Sequence, residues 1–343
     1  MGSGCFKPAI GTRMPPEPVR LEAALLGLDW GTTSLRGYLM AADGRVLAER
    51  GAEAGILNVE NAAFAVALNE LAGDWLAAHP DMPIVASGMI GSRQGWVEVP
   101  YLELPASARD LNLYAHDDFA RTVYFIPGLA YRNADGVPDV MRGEETQIFG
   151  AGTDGLYLLP GSHSKWALVE DGHITWFATF MTGELFAALK DHTILGRMMS
   201  DGADNDDAAF VRGVKHGFAS NGALQTLFSA RTLALFGELP ESGVADYLSG
   251  LLIGTEITEA GLAMQDISDK TTIISNPDLG RRYLRALSCC GLSGVQAPDG
   301  AAARGQGGSQ WQRDYWPDDE FANMPRGTTP DRHSTRHPTG RSR

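Results

Sequence analysis

A strand, a glycine-centred turn, a second strand, an Asp-Gly hairpin and a third strand occur twice in this chain. In the first copy, residues 25–30 lead into Gly31-Thr32-Thr33, residues 34–40 continue as a strand, Asp43-Gly44 reverses the chain and residues 45–50 return. In the second, residues 156–159 lead into Pro160-Gly161-Ser162-His163-Ser164, residues 165–169 continue, Asp171-Gly172 reverses the chain and residues 173–177 return. Asp-Gly between apolar runs is a strong hairpin signal, because both residues accept the positive φ of a tight turn. Gly31 and Gly161 lie 130 positions apart, and the two Asp-Gly turns 128 apart. The spacing predicts two α/β lobes of similar build.

The rest of the chain fits this division. Phe64, Leu68, Leu71 and Trp75 form the apolar stripe of an amphipathic helix over 61–79. Strands are expected at 83–86 and 122–126. Helices follow at 182–191, 204–219, 222–236 and 241–262, then a strand at 272–275 and a helix from Pro277 to about Cys290. The expected domains are 21–150 and 151–303. Residues 1–20 read as a loose, disordered leader. Residues 304–343 hold seven Arg but no Leu, Ile, Val or Lys. Such a stretch buries too little apolar surface to offset its ordering entropy, so disorder is expected. Its composition resembles translation in another frame.

The net charge of −14 argues against a nucleic-acid partner. Cys5 and the adjacent pair Cys289-Cys290 offer neither a disulfide framework nor zinc spacing. No apolar run approaches the ~20 residues of a membrane span, and no signal peptide stands out. The expected location is the cytoplasm.

Several segments carry groups suited to anion chemistry. In Asp29-Trp30-Gly31-Thr32-Thr33-Ser34-Leu35-Arg36, a glycine turn brings backbone N–H groups close to an anion, and a carboxylate at the strand end can hold Mg²⁺. Gly161-Ser162-His163-Ser164-Lys165 offers amides, two hydroxyls and a cation. Facing each other, the two loops would clamp a polyphosphate. Arg142-Gly143-Glu144-Glu145 opens a helix. Its acids suit the macrodipole, and one of them could face a cleft as general base. Ser87, Gly88, Arg93 and Trp96 follow a buried strand, where α/β proteins bind ligands. Arg93 and Arg142 are both candidates for a substrate carboxylate. Thr182, next to Gly183-Glu184, either caps a helix or lines the cleft. Gly150-Ala151-Gly152-Thr153-Asp154-Gly155 matches G-x-G-x-x-G, but it runs from helix to strand, the reverse of a dinucleotide motif.

Taken in order, DWGTTSLR, ASGMIGSRQGW, VPYLELPA, FIPGL, DVMRGEETQIFGA, LPGSHSKWALV, FMTGELF and DYLSGLLIGTE resemble the 2-dehydro-3-deoxygalactonokinase family, within the actin, sugar-kinase and heat-shock-ATPase superfamily. The resemblance implies two actin-like (ribonuclease H-like) domains with a ligand cleft between them. It implies transfer of the ATP γ-phosphate, with Mg²⁺, to the 6-hydroxyl of 2-dehydro-3-deoxy-D-galactonate in galactonate catabolism. By position, Asp29, Gly31, Thr32 and Thr33 would form one phosphate loop, with Asp29 at the metal. Gly161, Ser162, His163 and Lys165 would form the other. Similarity to exopolyphosphatases favours Glu145 over Glu144 as base. Ser275-Asn276 stand where relatives carry glycine near the adenosine. A related sugar-acid kinase, a phosphohydrolase of the same superfamily and a non-catalytic sugar-acid-binding member are the rival readings. The expected partner is a small sugar acid, with no nucleic acid or membrane, and a homodimer is the assembly considered.

Overall fold

The computed structural model describes residues 22–117, 121–199, 206–220, 222–264 and 270–297. The expected leader and the Arg-rich tail lie outside these residues. The first Asp-Gly unit folds as an antiparallel meander of β1 (Ala23–Trp30), β2 (Leu35–Ala41) and β3 (Val46–Ala52). Helix α1 (Phe64–Ala78) carries the chain over the sheet, and β4 (Ile84–Ser87) returns parallel to β1. Short strands then follow: β5 (Leu102–Glu103), β6 (Ala106–Ser107), β7 (Tyr114–His116), β8 (Val123–Phe125), β9 (Leu129–Arg132) and β10 (Pro138–Met141). The first sheet has the order β3-β2-β1-β4-β8-β7, and β10-β9-β5 form a small separate sheet.

Helix α2 (Glu144–Ala151) leads to the second meander, β11 (Gly155–Leu159), β12 (Ser164–Glu170) and β13 (His173–Phe180). Next come α3 (Thr182–His192), α4 (Asp207–Phe218), α5 (Ala223–Leu227), α6 (Ser229–Leu235) and α7 (Val244–Met264). The described chain closes with β14 (Thr271–Ile273), α8 (Pro277–Cys289) and β15 (Gly294–Gln296). The second sheet reads β15-β14-β11-β12-β13-β6. Each six-stranded sheet thus contains a three-stranded meander whose first strand pairs in parallel with the strand after a helical crossover. The two sheets have the similar α/β build that the duplicated unit predicts.

Strand alternation distributes the cores. Leu26, Leu28 and Trp30 of β1 pack with Phe64, Leu68 and Leu71 of α1. On the other face, Leu25, Tyr38 and Met40 join Tyr157, Leu159, Ala167 and Phe177 from the second sheet. The lobes therefore share a core and are not merely tethered. Leu156, Leu158 and Trp166 pack outward against α4, α7 and α8 through Phe210, Ile253 and Tyr283. Among the described residues, Cys289 and Cys290 are free thiols, and no helix is long and apolar enough to cross a membrane.

Candidate active site

Both glycine loops line one cleft of about 790 Å³, with Asp29, Gly31 and Thr32 on one wall and Gly161, Ser162, His163 and Lys165 on the other. Each loop sits where a meander's first strand turns into its second, so the duplication brings them face to face. Neighbouring backbone pins each loop from behind. Ile56 and Leu57 donate their N–H groups to the carbonyls of Gly31 and Thr32, at 3.0 and 3.1 Å. Glu184, in the first turn of α3, donates to the Ser162 carbonyl at 2.9 Å. Both supports require glycine. A Cβ on Gly55 would sit 2.3 Å from Thr33 backbone, and one on Gly183 would sit 2.3 Å from the Gly161 carbonyl. Among the described residues, the N–H groups of Thr32, Thr33, Ser162 and His163 donate to no protein acceptor. Amides held this way suit an anion.

Charge is concentrated on the same walls. Asp29 ends β1 directly opposite Arg36 of β2. Burial pushes its carboxyl above the usual range, Arg36 pulls it down and Glu144 pushes it up. Lys165, only 5 % exposed, projects from β12 with its Nζ 3.7 Å from Glu144 Oε1. Glu144 Oε2 accepts the Arg142 N–H at 3.0 Å. Arg142 is 7 % exposed and lies 4.2 Å over the Tyr101 ring. One of its nitrogens donates to the Val99 carbonyl at 2.7 Å, while its Nε and Nη1 have no protein partner. Its guanidinium borders the cleft with two donors that no protein acceptor takes up.

The structure separates the sequence candidates. Asp29, Gly31, Thr32, Gly88, Arg142, Gly161, Ser162, His163 and Lys165 all line the cleft. Thr33 and Ser87 do not line it. Thr33 is exposed and its carbonyl accepts from Asn58 Nδ2, and Ser87 is buried with its hydroxyl on the Leu28 carbonyl. Glu145, expected as the base, is fully buried and does not line the cleft. Both its oxygens accept the Gly143 N–H, and Thr146 donates to one of them. Desolvation, then the neighbouring Glu144, pushes its carboxyl up to about 7. Successive helical residues point about 100° apart, so Glu144 takes the cleft-facing position.

Arg93 is also placed elsewhere. It is exposed and pairs with Glu98 at 3.2 Å. Trp96 packs among the aromatic rings of Trp30, Phe64 and Phe125. Thr182 turns its hydroxyl toward a buried group around Glu256. His163 Nε2 pairs with Glu184. Arg36, at the end of the first anion segment, also lines the cleft, while Tyr38, Glu49 and Tyr101 are wall residues that sequence reasoning missed. At the cleft's far end Asn276 turns its side chain onto the Leu279 N–H, capping α8. It also borders a second cavity of about 780 Å³ near Phe210 and Arg282.

The family model described as 2-keto-3-deoxy-galactonokinase matches residues 29–307. "Probable 2-dehydro-3-deoxygalactonokinase DgoK1" of Rhizobium meliloti (strain 1021) is 39% identical over 303 residues, covering 84% of this chain and 97% of that protein. The 2-dehydro-3-deoxygalactonokinase of Escherichia coli (strain K12) is 34% identical over 277 residues, covering 79% and 91%. A crystal structure from Sinorhizobium meliloti bearing the same kinase name superposes with a TM-score of 0.76 at 36% identity, covering 85% of this chain and 99% of that one. Sequence, fold and the doubled loop agree, and the chain belongs to the 2-keto-3-deoxy-galactonokinase family.

Proposed function

We propose that this protein transfers the γ-phosphoryl group of ATP to the 6-hydroxyl of 2-dehydro-3-deoxy-D-galactonate. The observation that carries this reading is the shared cleft. Two loops of free amides, a buried cation and a carboxylate line the same crevice. The amides of Thr32, Ser162 and His163 hold the triphosphate, and Lys165 stabilises charge on the transferring group. Glu144 accepts the hydroxyl proton as the new O–P bond forms and the bond to the leaving ADP oxygen breaks. Arg142, a cation on the cleft wall, takes the substrate carboxylate. The nucleoside end runs past Asn276 toward the cavity beside Phe210.

Asp29 fits a Mg²⁺ ion by the chemistry of its surroundings. It is a buried carboxylate pushed upward by a second carboxylate, and a hard cation relieves both effects. Among the described residues, no group of three or more His, Cys, Asp or Glu forms a metal cage. When bound, Mg²⁺ neutralises developing phosphate charge.

A coupled assay of ATP consumption tests this reading, run with the galactonate-derived acid, with the gluconate-derived acid and with neither. Turnover that requires the galactonate-derived acid supports it. Hydrolysis independent of any acid would favour a phosphohydrolase, and tight binding without turnover a non-catalytic binder.

A further inference from the structure

On the face of β12 turned away from the cleft lies a buried carboxylate that the phosphoryl-transfer reading does not use. Glu256 of α7 is 2 % exposed. Its Oε1 accepts from Trp166 Nε1 at 2.9 Å, and its Oε2 accepts from the Tyr283 hydroxyl of α8 at 2.7 Å. Ser164 Oγ lies 3.0 Å from that same Tyr283 oxygen. Tyr283 has one proton and gives it to Glu256, so Ser164 is the donor to Tyr283. Thr182, at the start of α3, adds its hydroxyl to the group.

The strand geometry gives this network a direction. Ser164, Lys165 and Trp166 are consecutive in β12. Side chains alternate along a strand, so Ser164 and Trp166 face α7 and α8 while Lys165 faces the cleft. One carboxylate therefore grips both neighbours of the cleft lysine, Trp166 directly and Ser164 through Tyr283. The group also reaches α3, whose first turn supports the Gly161–Ser162 backbone. A buried charge that loses a partner is costly, so the arrangement resists pivoting of the strand.

We propose that Glu256, Tyr283 and Ser164 form a positioning clamp that fixes where Lys165 presents its ammonium to the transferring phosphoryl group. The proposal rests on the kinase reading. Displacement of about 1 Å at a reacting centre can cost on the order of 100-fold in rate, so a clamp on the strand would act on turnover more than on substrate affinity.

Ser164→Ala is the primary variant, because it leaves Glu256 with both Trp166 and Tyr283. Tyr283→Phe is the second. Each is expected to lower kcat roughly 10- to 100-fold with little change in KM for the sugar acid. In a Lys165→Met background the same substitutions should change kcat by no more than about twofold, the scale of experimental additivity. Wild-type kcat in Ser164→Ala, or an equal loss with and without Lys165, would overturn the clamp. If the wild-type protein turns over no sugar acid, the kinase reading fails by itself. The same cycle is then read in ATP affinity by calorimetry, where coupling between Ser164 and Lys165 supports the clamp and additivity overturns it.

Discussion

Lys165 Nζ stands 3.7 Å from Glu144 Oε1, so a cation of β12 and a carboxylate of α2 meet in the cleft that both glycine loops line. In the proposed reaction they would supply charge stabilisation and a proton acceptor at one place. Glu144→Gln keeps the shape of the wall and removes the base. Its kcat is expected to fall by at least ~100-fold, the lower scale for loss of a general base. Steady-state kinetics on a variant with an unchanged melting curve checks this, and near-normal turnover would remove Glu144 from the role.

Glu145 gives the opposite signature. Its carboxyl is pushed up to about 7 in the folded protein, against an ordinary value of 4.5. Between those values the folded state binds the extra proton, so stability falls as pH rises through about 7. The shift corresponds to a contribution of about 3 kcal/mol, fully present below pH ~4.5 and gone above pH ~7. Glu145→Gln should flatten that part of the stability profile. Chemical denaturation of both proteins from pH 5 to 8 measures it. Identical slopes would contradict the buried-acid picture.

Asp29→Asn keeps the side-chain volume at the end of β1 but removes the charge opposed to Arg36. Folding should survive while kcat drops at least ~100-fold, the scale of losing one preorganised electrostatic group. Full turnover would take Asp29 out of the site.

Arg142→Lys keeps a positive charge and loses the planar fork. KM for the sugar acid should rise about 10- to 100-fold, matching ~1.5–3 kcal/mol for a charged hydrogen bond, while KM for ATP stays put. A parallel rise in both constants would mean that Arg142 shapes the cleft generally and does not hold the acid.

Much of this arrangement was legible in the sequence because it is local. Asp43-Gly44 and Asp171-Gly172 announce hairpins, and alternating apolar residues on either side fix which strand faces are buried. The stripe from Phe64 to Trp75 did the same for α1. The strands that escaped notice, β5, β6, β7, β9, β10 and β15, are two to four residues long. Distant pairing defines β5, β6 and β15. Ala106–Ser107 pairs with β13, far along the chain, and completes the second sheet. Site residues divided along the same line. Both glycine loops follow from turn chemistry. The choice of Glu144 over Glu145 depends on which way α2 faces, and of Arg142 over Arg93 on which arginine the fold buries.

The most direct measurement is a crystal structure with Mg²⁺ and a non-hydrolysable ATP analogue. The phosphates should lie between Thr32 and Ser162, with the terminal one beside Lys165 and Glu144. A triphosphate bound elsewhere, out of reach of one of the two loops, would contradict the clamp on which the activity depends.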